Sequence, residues 1–332
     1  MKNKALTIFD TTIQPGEHLT LALPTPELYT CTPMHIPIHI IHGKKAGPCL
    51  LVCAALHGDE TNGISIVQKL LHFQLLKKLQ GTLIAVPVIN VYGLMAQQRN
   101  LPDRRDLEGS FPGSETGSYA ARLAYSFNKE ILSKATHCID LHTGEPHYKK
   151  FPQVLTNLSR KDAADLAKMF QAPVIVHTDS KQGFLWQMDR EQGIPTLVYQ
   201  TGEAARQDET GIRIGVKGVL RVLRHLNMIH SNAKIEDQNP AVIRDSIWVR
   251  SPGSGLCQIF KKLGAFVKKE EKLAVITDPF GRAQKFQIHS PCDGIVITQN
   301  NLPLTNEGEP LMQIAKTESS GWEETQKILK TL

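Results

Sequence analysis

Five short apolar runs constrain the fold of this chain more than any other feature. They are CLLVCAAL (49–56), TLIAVPVI (82–89), HCIDL (137–141), PVIVH (173–177) and PTLVYQ (195–200). Each is partly β-branched and bounded by Gly, Pro or polar residues, and so reads as a strand buried on both faces. Between the runs the apolar spacing becomes helical. Over 61–79, Ile64, Val67, Leu70, Leu71, Leu75 and Leu79 share one broad face. Over 116–134, Tyr119, Leu123, Phe127 and Ile131 do the same, and further helices are expected across 160–170 and near 210–228. Apolar strands alternating with helices imply an α/β fold with a mixed, largely parallel sheet flanked by helices. The preceding segment, LTLALPTPELYTCTPMHIPIHIIHG, alternates like an antiparallel edge hairpin.

The pattern changes after residue 230. SNAKIEDQNP is a polar linker, and the sequence beyond it is β-like with frequent glycines. Two stretches echo one another there, each with a Ser-Pro turn, a Gly and a strand. That spacing fits a C-terminal small all-β barrel or sandwich of about 75–80 residues. The expected division is an α/β domain over 1–236, a β-barrel domain over 237–316 and a tail over 317–332. The tail's ESSGWEETQKILKTL is read as one exposed helix.

The 332 residues are enough for one large core and a smaller second unit. The formal net charge of +6 is spread out, apart from Lys-Lys pairs at 77–78, 149–150, 261–262 and 268–269. Such a distribution argues against nucleic acid as a partner. No run approaches a membrane-spanning length. The N-terminus lacks the apolar core of a signal peptide. The 6 cysteines show no CxxC spacing, and Cys49, Cys53 and Cys138 lie in strand-like runs as small buried hydrophobes. A cytoplasmic location is therefore expected. The oligomeric state, a homo-oligomer included, is open.

In a parallel sheet, functional residues gather beyond the carboxyl ends of the strands. His57 and Glu60, in LHGDE, follow the run 49–56, and Asn90 follows 82–89. His142, in IDLHTGE, follows 137–141, and Glu203, in YQTGE, follows 195–200. Each has an ordinary structural reading. LHGDE alone is a turn entering a helix, with an acid suited to the helix dipole. PDRRD alone is a charged surface turn. Together, two imidazoles and a carboxylate suit Zn2+ with one coordination position left for water. Glu203 would then move the proton, and Asp140 would orient an imidazole from behind. Arg99, Arg104 and Arg105 stand in the long segment after Asn90, available to polarise a carbonyl or hold an anion.

Taken in order, HGDE (57–60), PDRRDL with SFPG (102–113), GSYAARLA (117–124), IDLHTG (139–144) and TGE (201–203) resemble the succinylglutamate desuccinylase/aspartoacylase family. These are relatives of the zinc carboxypeptidases. SPGSG, DPFG and SPCDGIV extend the resemblance into the tail module, so that it covers most of 30–316. The resemblance implies a zinc-carboxypeptidase-like fold and a hydrolase with one Zn2+ per chain that cleaves the amide of a small N-acyl amine or amino acid. By position, His57, Glu60 and His142 would be the metal ligands, Glu203 the general acid/base, and Arg99 the group that polarises the scissile carbonyl.

One departure bears on the substrate. The family usually reads Asp-Leu-Asn-Arg before Phe-Pro-Gly, its Asn-Arg pair holding a substrate carboxylate. Here the stretch is DLEGSFPG, with Glu108 and Gly109 at those positions. A carboxylate clamp is thus replaced by an acid that repels an anion. Related sequences also often carry an arginine near Trp186. Either a neutral or cationic group binds there, or Arg104 or Arg105 substitutes. A metallo-carboxypeptidase is disfavoured because a free C-terminus needs that clamp. A non-catalytic homologue that kept the metal is the other alternative.

Overall fold

The computed structural model describes residues 1–29, 31–179, 183–184, 187–230, 239–283, 285–317 and 322–323. Trp186, most of the linker and nearly all of the expected tail helix lie outside the described residues. A hairpin, β1 (Leu6–Ile8) and β2 (Thr11–Ile13), precedes the antiparallel pair β3 (His18–Pro24) and β4 (His35–His42). The apolar runs then supply β5 (Cys49–Ala54), β6 (Thr82–Val86), β7 (His137–Gly144), β9 (Val174–His177) and β10 (Thr196–Glu203). β8 (Tyr148–Thr156) joins them from a stretch not read as a strand.

The strands order as β3–β4–β6–β5–β7–β10–β8. The four central ones, β6, β5, β7 and β10, run parallel. β4 and β8 flank them antiparallel. The carboxyl ends of the four parallel strands therefore lie at one edge of the sheet.

Period-two alternation drives successive side chains of β5 into opposite cores. Leu50, Val52 and Ala54 pack with α1 (Thr61–Leu71), α4 (Lys161–Phe170) and α5 (Glu209–His225). Leu51 and Cys53 pack with α3 (Tyr119–Glu130) and the N-terminal strands. α2 (Val91–Ala96) is a short helix after β6. Truncating Leu50 or Leu51 to Ala would forfeit about 2–5 kcal/mol. Among the described residues, no helix is long and apolar enough to cross a membrane.

Two boundaries differ from the sequence pattern. The helix expected over 61–79 ends at Leu71, and a 3-10 turn spans Gln74–Lys78. Leu76 and Leu79, three apart, are buried while Leu75 is exposed, and a three-residue period belongs to the tighter helix. β7 and β10 also run past their apolar cores, so His142 and Glu203 are strand residues rather than loop residues. Their parallel pairing persists through Glu203 opposite Gly144, with an irregularity after Gln200.

The C-terminal strands are β11 (Ala241–Ile243), β12 (Ser246–Arg250), β13 (Gly255–Ile259), β14 (Phe266–Val267), β15 (Lys272–Thr277), β16 (Lys285–His289), β17 (Gly294–Asn300), β18 (Leu304–Thr305) and β19 (Pro310–Lys316). β16–β15–β13–β18 form a four-stranded sheet, and β12–β19–β17 extend the large one through β17 on β8. The two layers enclose Val267, Leu273, Ile276, Leu311, Met312 and Ile314. A seam of Phe151 and Val174 with Ala241, Ile243, Ile295 and Ile297 joins this β unit to the α/β unit.

Candidate active site

LHGDE lies where β5 meets α1. Its tight path depends on Gly58, because a Cβ there would fall 1.8 Å from the carbonyl carbon of Gly93. Glu60 occupies the N-cap position of α1 but makes no capping hydrogen bond. Its carboxylate turns inward instead. Oε1 lies 2.8 Å from Nδ1 of His57, and Oε2 lies 2.9 Å from Nδ1 of His142. The backbone N–H of Thr143 also donates to Oε2, at 2.9 Å. Glu60 is 2% exposed, so the ordinary reading of a solvated helix-entry acid does not describe it.

The far nitrogens of both imidazoles are engaged as well. His142 Nε2 is 2.7 Å from Asp140 Oδ2, and His57 Nε2 is 3.1 Å from Asp106 Oδ1. Asp140 and His142 share a face of β7 because they are two apart. Asp106 is not among the residues singled out from the sequence, although it stands in the same PDRRDLEG stretch as Glu108. Its Oδ2 accepts from Arg99 NH2 at 3.0 Å. Arg99 NH1 also lies 3.8 Å from Glu60 Oε1.

Asn90 serves this loop indirectly. Its Oδ1 accepts from Gly93 N at 2.8 Å as the cap of α2, and its Nδ2 donates to the Arg99 carbonyl at 3.1 Å. Arg104 and Arg105 are exposed, and Arg105 faces Asp103 at 4.0 Å. Glu108 is half-buried, 3.6 Å from His57 Nε2 and 4.0 Å from Arg99 NH2. No atom lies within 4 Å of the Cβ position of Gly109. The structure thus gathers His57, Glu60, Arg99, Asp106, Glu108, Asp140 and His142. It leaves Arg104 and Arg105 exposed, with no side-chain contact to that cluster among the described residues.

Glu203 ends β10 and is 5% exposed. Its Oε2 accepts from Asn301 Nδ2 of the C-terminal unit at 2.7 Å, and Oε1 lies 3.4 Å from Arg206 Nε. Gly202, at φ +72°, supplies the left-handed turn that brings Glu203 to this position.

The electrostatics of the pocket call for positive charge. Burial alone would lower the His57 imidazole, but its bonds to Asp106 and Glu60 outweigh burial and raise it to about 9. Burial likewise opposes ionisation of Glu60, yet His142 and His57 pull it down to about 2. His142 rises well above its ordinary value, its two carboxylate partners overcoming desolvation. Asp59 moves the other way: burial, then the nearby Glu60, raise it. Its Oδ1 is buried with no hydrogen-bond partner. Among the described residues, one grouping has the spacing of a cation site: ligand atoms of His57, Glu108 and His142 lie within 4.8 Å of one another. Glu60 is not part of that grouping, although its two oxygens contact both Nδ1 atoms.

Comparison with known proteins agrees with this architecture. Residues 46–226 match the profile of the succinylglutamate desuccinylase/aspartoacylase catalytic domain. The chain is 25% identical over 305 residues to the N-alpha-acetyl-L-2,4-diaminobutyric acid deacetylase of Halomonas elongata, covering 86% of each. Its fold is similar to a succinylglutamate desuccinylase/aspartoacylase from Rhodobacter sphaeroides (TM-score 0.80, 23% identity, 91% of this chain and 96% of that one). It is also similar to the product-bound ectoine utilization protein EutE (DoeB) from Ruegeria pomeroyi (TM-score 0.79, 24% identity, 91% and 95%). The matched profile spans more than half of the chain, including every strand of the parallel core, and the chain belongs to the succinylglutamate desuccinylase/aspartoacylase family.

Proposed function

We propose that the chain is a zinc-dependent hydrolase that cleaves the amide of a small N-acyl amino acid or N-acyl amine. The observation that carries this reading is Glu60, set between the Nδ1 atoms of two imidazoles whose Nε2 atoms are held by Asp106 and Asp140. The donor set suits zinc, and carboxylates behind the imidazoles fix which nitrogen faces the metal. Among the described residues, Asp59, Glu60, Asp106, Glu108 and Asp140 face His57, His142 and Arg99 as cationic groups, so the pocket accommodates a divalent ion. His57, Glu60 and His142 would hold Zn2+, which would supply Lewis acidity and lower the pKa of a water.

The chain's own residues do the rest. Arg99, fixed through its backbone by Asn90 and through its guanidinium by Asp106, aims donors at the carbonyl oxygen of the substrate. Glu203 takes the proton of the attacking water and delivers it to the departing nitrogen. Amide and water become a carboxylic acid and an amine, with no further reactant. Glu108 disfavours a substrate carboxylate near His57 and Arg99 and favours an ammonium group. The Halomonas relative's named substrate carries a second amino group on its side chain, which supports the same preference.

Acetate release from zinc-loaded protein tests this reading, using Nα-acetyl-L-2,4-diaminobutyrate, N-acetyl-L-alanine and N-acetyl-L-aspartate. The expected order of kcat/KM follows the side chain: ammonium, then uncharged, then carboxylate. Glu203→Gln is expected to lower kcat by about 10²–10⁴-fold with zinc retained. Hydrolysis of none of the three, or wild-type turnover by Glu203→Gln, would sink the proposal.

A further inference from the structure

We propose that Asn301, contributed by the C-terminal β unit, is the positioning residue for Glu203, so that the active site is completed only by that unit. The inference rests on the reading of Glu203 as the proton-moving carboxylate. Its own basis is the 2.7 Å hydrogen bond from Asn301 Nδ2 to Glu203 Oε2, between groups 98 residues apart in sequence.

The contact follows from strand register. β17 pairs antiparallel with β8, setting Thr298 opposite Lys150, Gln299 opposite Lys149 and Asn300 opposite Tyr148. β8 in turn pairs with β10, where Gly202 stands opposite Lys150. The same lysine thus links Glu203's strand to Asn301's strand. One residue past the end of β17, the Asn301 N–H donates to the His147 carbonyl at 2.7 Å. Asn300, 2% exposed, locks the turn by accepting from Leu302 N at 2.9 Å, and its amide reaches the Pro310 carbonyl at 3.4 Å. The backbone of Asn301 is therefore held on the turn that connects β7 to β8, and its side chain is left to reach Glu203.

The amide gives Glu203 something its other neighbour does not. Arg206, at 3.4 Å from Oε1, has a side chain 74% exposed, so its attraction is screened by water. Asn301 is neutral and cannot take up a proton at working pH. It holds Oε2 in one orientation and leaves Oε1 as the oxygen that exchanges the proton. An ionised partner would instead either neutralise the carboxylate or repel it.

The test compares Asn301→Ala and Asn301→Asp with wild type, each zinc-loaded, on the three N-acetyl amino acids named above. Asn301→Ala should lower kcat about ten- to a hundredfold, the usual weight of a hydrogen bond to a charged group, with KM, zinc content and Tm unchanged. Asn301→Asp keeps the shape but removes the donor and adds a like charge, so its kcat should fall below that of Asn301→Ala. A purely structural role predicts the opposite rank, with the isosteric Asp tolerated and Ala costing Tm. In a Glu203→Gln background, Asn301→Ala should cost almost nothing further. Wild-type kcat in Asn301→Ala, or Asn301→Asp equal to or better than Ala, overturns the positioning role while leaving Glu203 intact. Unimpaired Glu203→Gln, or wild type inactive on all three substrates, overturns instead the functional reading beneath it.

Discussion

Among the described residues of the pocket, carboxylates outnumber cationic groups, and what each carboxylate touches differs. Asp106 bonds His57 and Arg99 at once. Asp106→Asn should therefore weaken zinc binding by about 10–100-fold, the usual weight of a carboxylate behind a metal-binding histidine. Zinc titration against a competing chelator measures it, and unchanged affinity would remove Asp106 from the centre. Asn90 is expected to act differently. Asn90→Ala should cost about 1–2 kcal/mol as a lost helix cap and lower kcat by releasing Arg99, while leaving zinc content intact. Denaturant melts and steady-state kinetics on the same preparation separate the two effects. At position 108, Glu108→Arg should reverse the substrate order, favouring N-acetyl-L-aspartate over Nα-acetyl-L-2,4-diaminobutyrate. An unaltered order would place substrate selection elsewhere.

At the scale of elements, the parallel core was readable because its strands are continuous apolar runs and its helices keep a 3.6-residue stripe. His57, Glu60, His142 and Glu203 were readable because each stands at the carboxyl end of such a run. What escaped had no such marker. β8 begins YKKFPQ, whose lysines and proline conceal a strand that carries the sheet into the C-terminal unit. Asp106 lies in a loop without periodicity, and its role depends on a fold-back that spacing does not encode. Asn301 is 98 residues from Glu203, and only the register of β17 on β8 brings them together. The turn before α1 yields a prediction of its own. Gly58→Ala places a Cβ 1.8 Å from the Gly93 carbonyl carbon, so it should lower stability by about 3 kcal/mol. An unchanged Tm would mean that the turn relaxes freely.

Across the whole molecule, one sheet runs from β3 through the parallel core and β8 into β17, β19 and β12. The seam of Phe151, Val174, Ala241, Ile243, Ile295 and Ile297 buries apolar surface from both units. Calorimetry is therefore expected to give a single unfolding transition, and Phe151→Ala should lower it as a whole by about 3–5 kcal/mol of stability. Two resolved transitions would show that the units unfold independently. The proposed activity requires a metal site at the carboxyl ends of β5 and β7. Its most direct test is the zinc content of protein purified without chelators, measured for wild type, Glu60→Gln and Glu108→Gln. About one zinc per chain is predicted for wild type and Glu108→Gln, with loss of zinc in Glu60→Gln. A wild-type protein without zinc, or loss in Glu108→Gln with retention in Glu60→Gln, would contradict it.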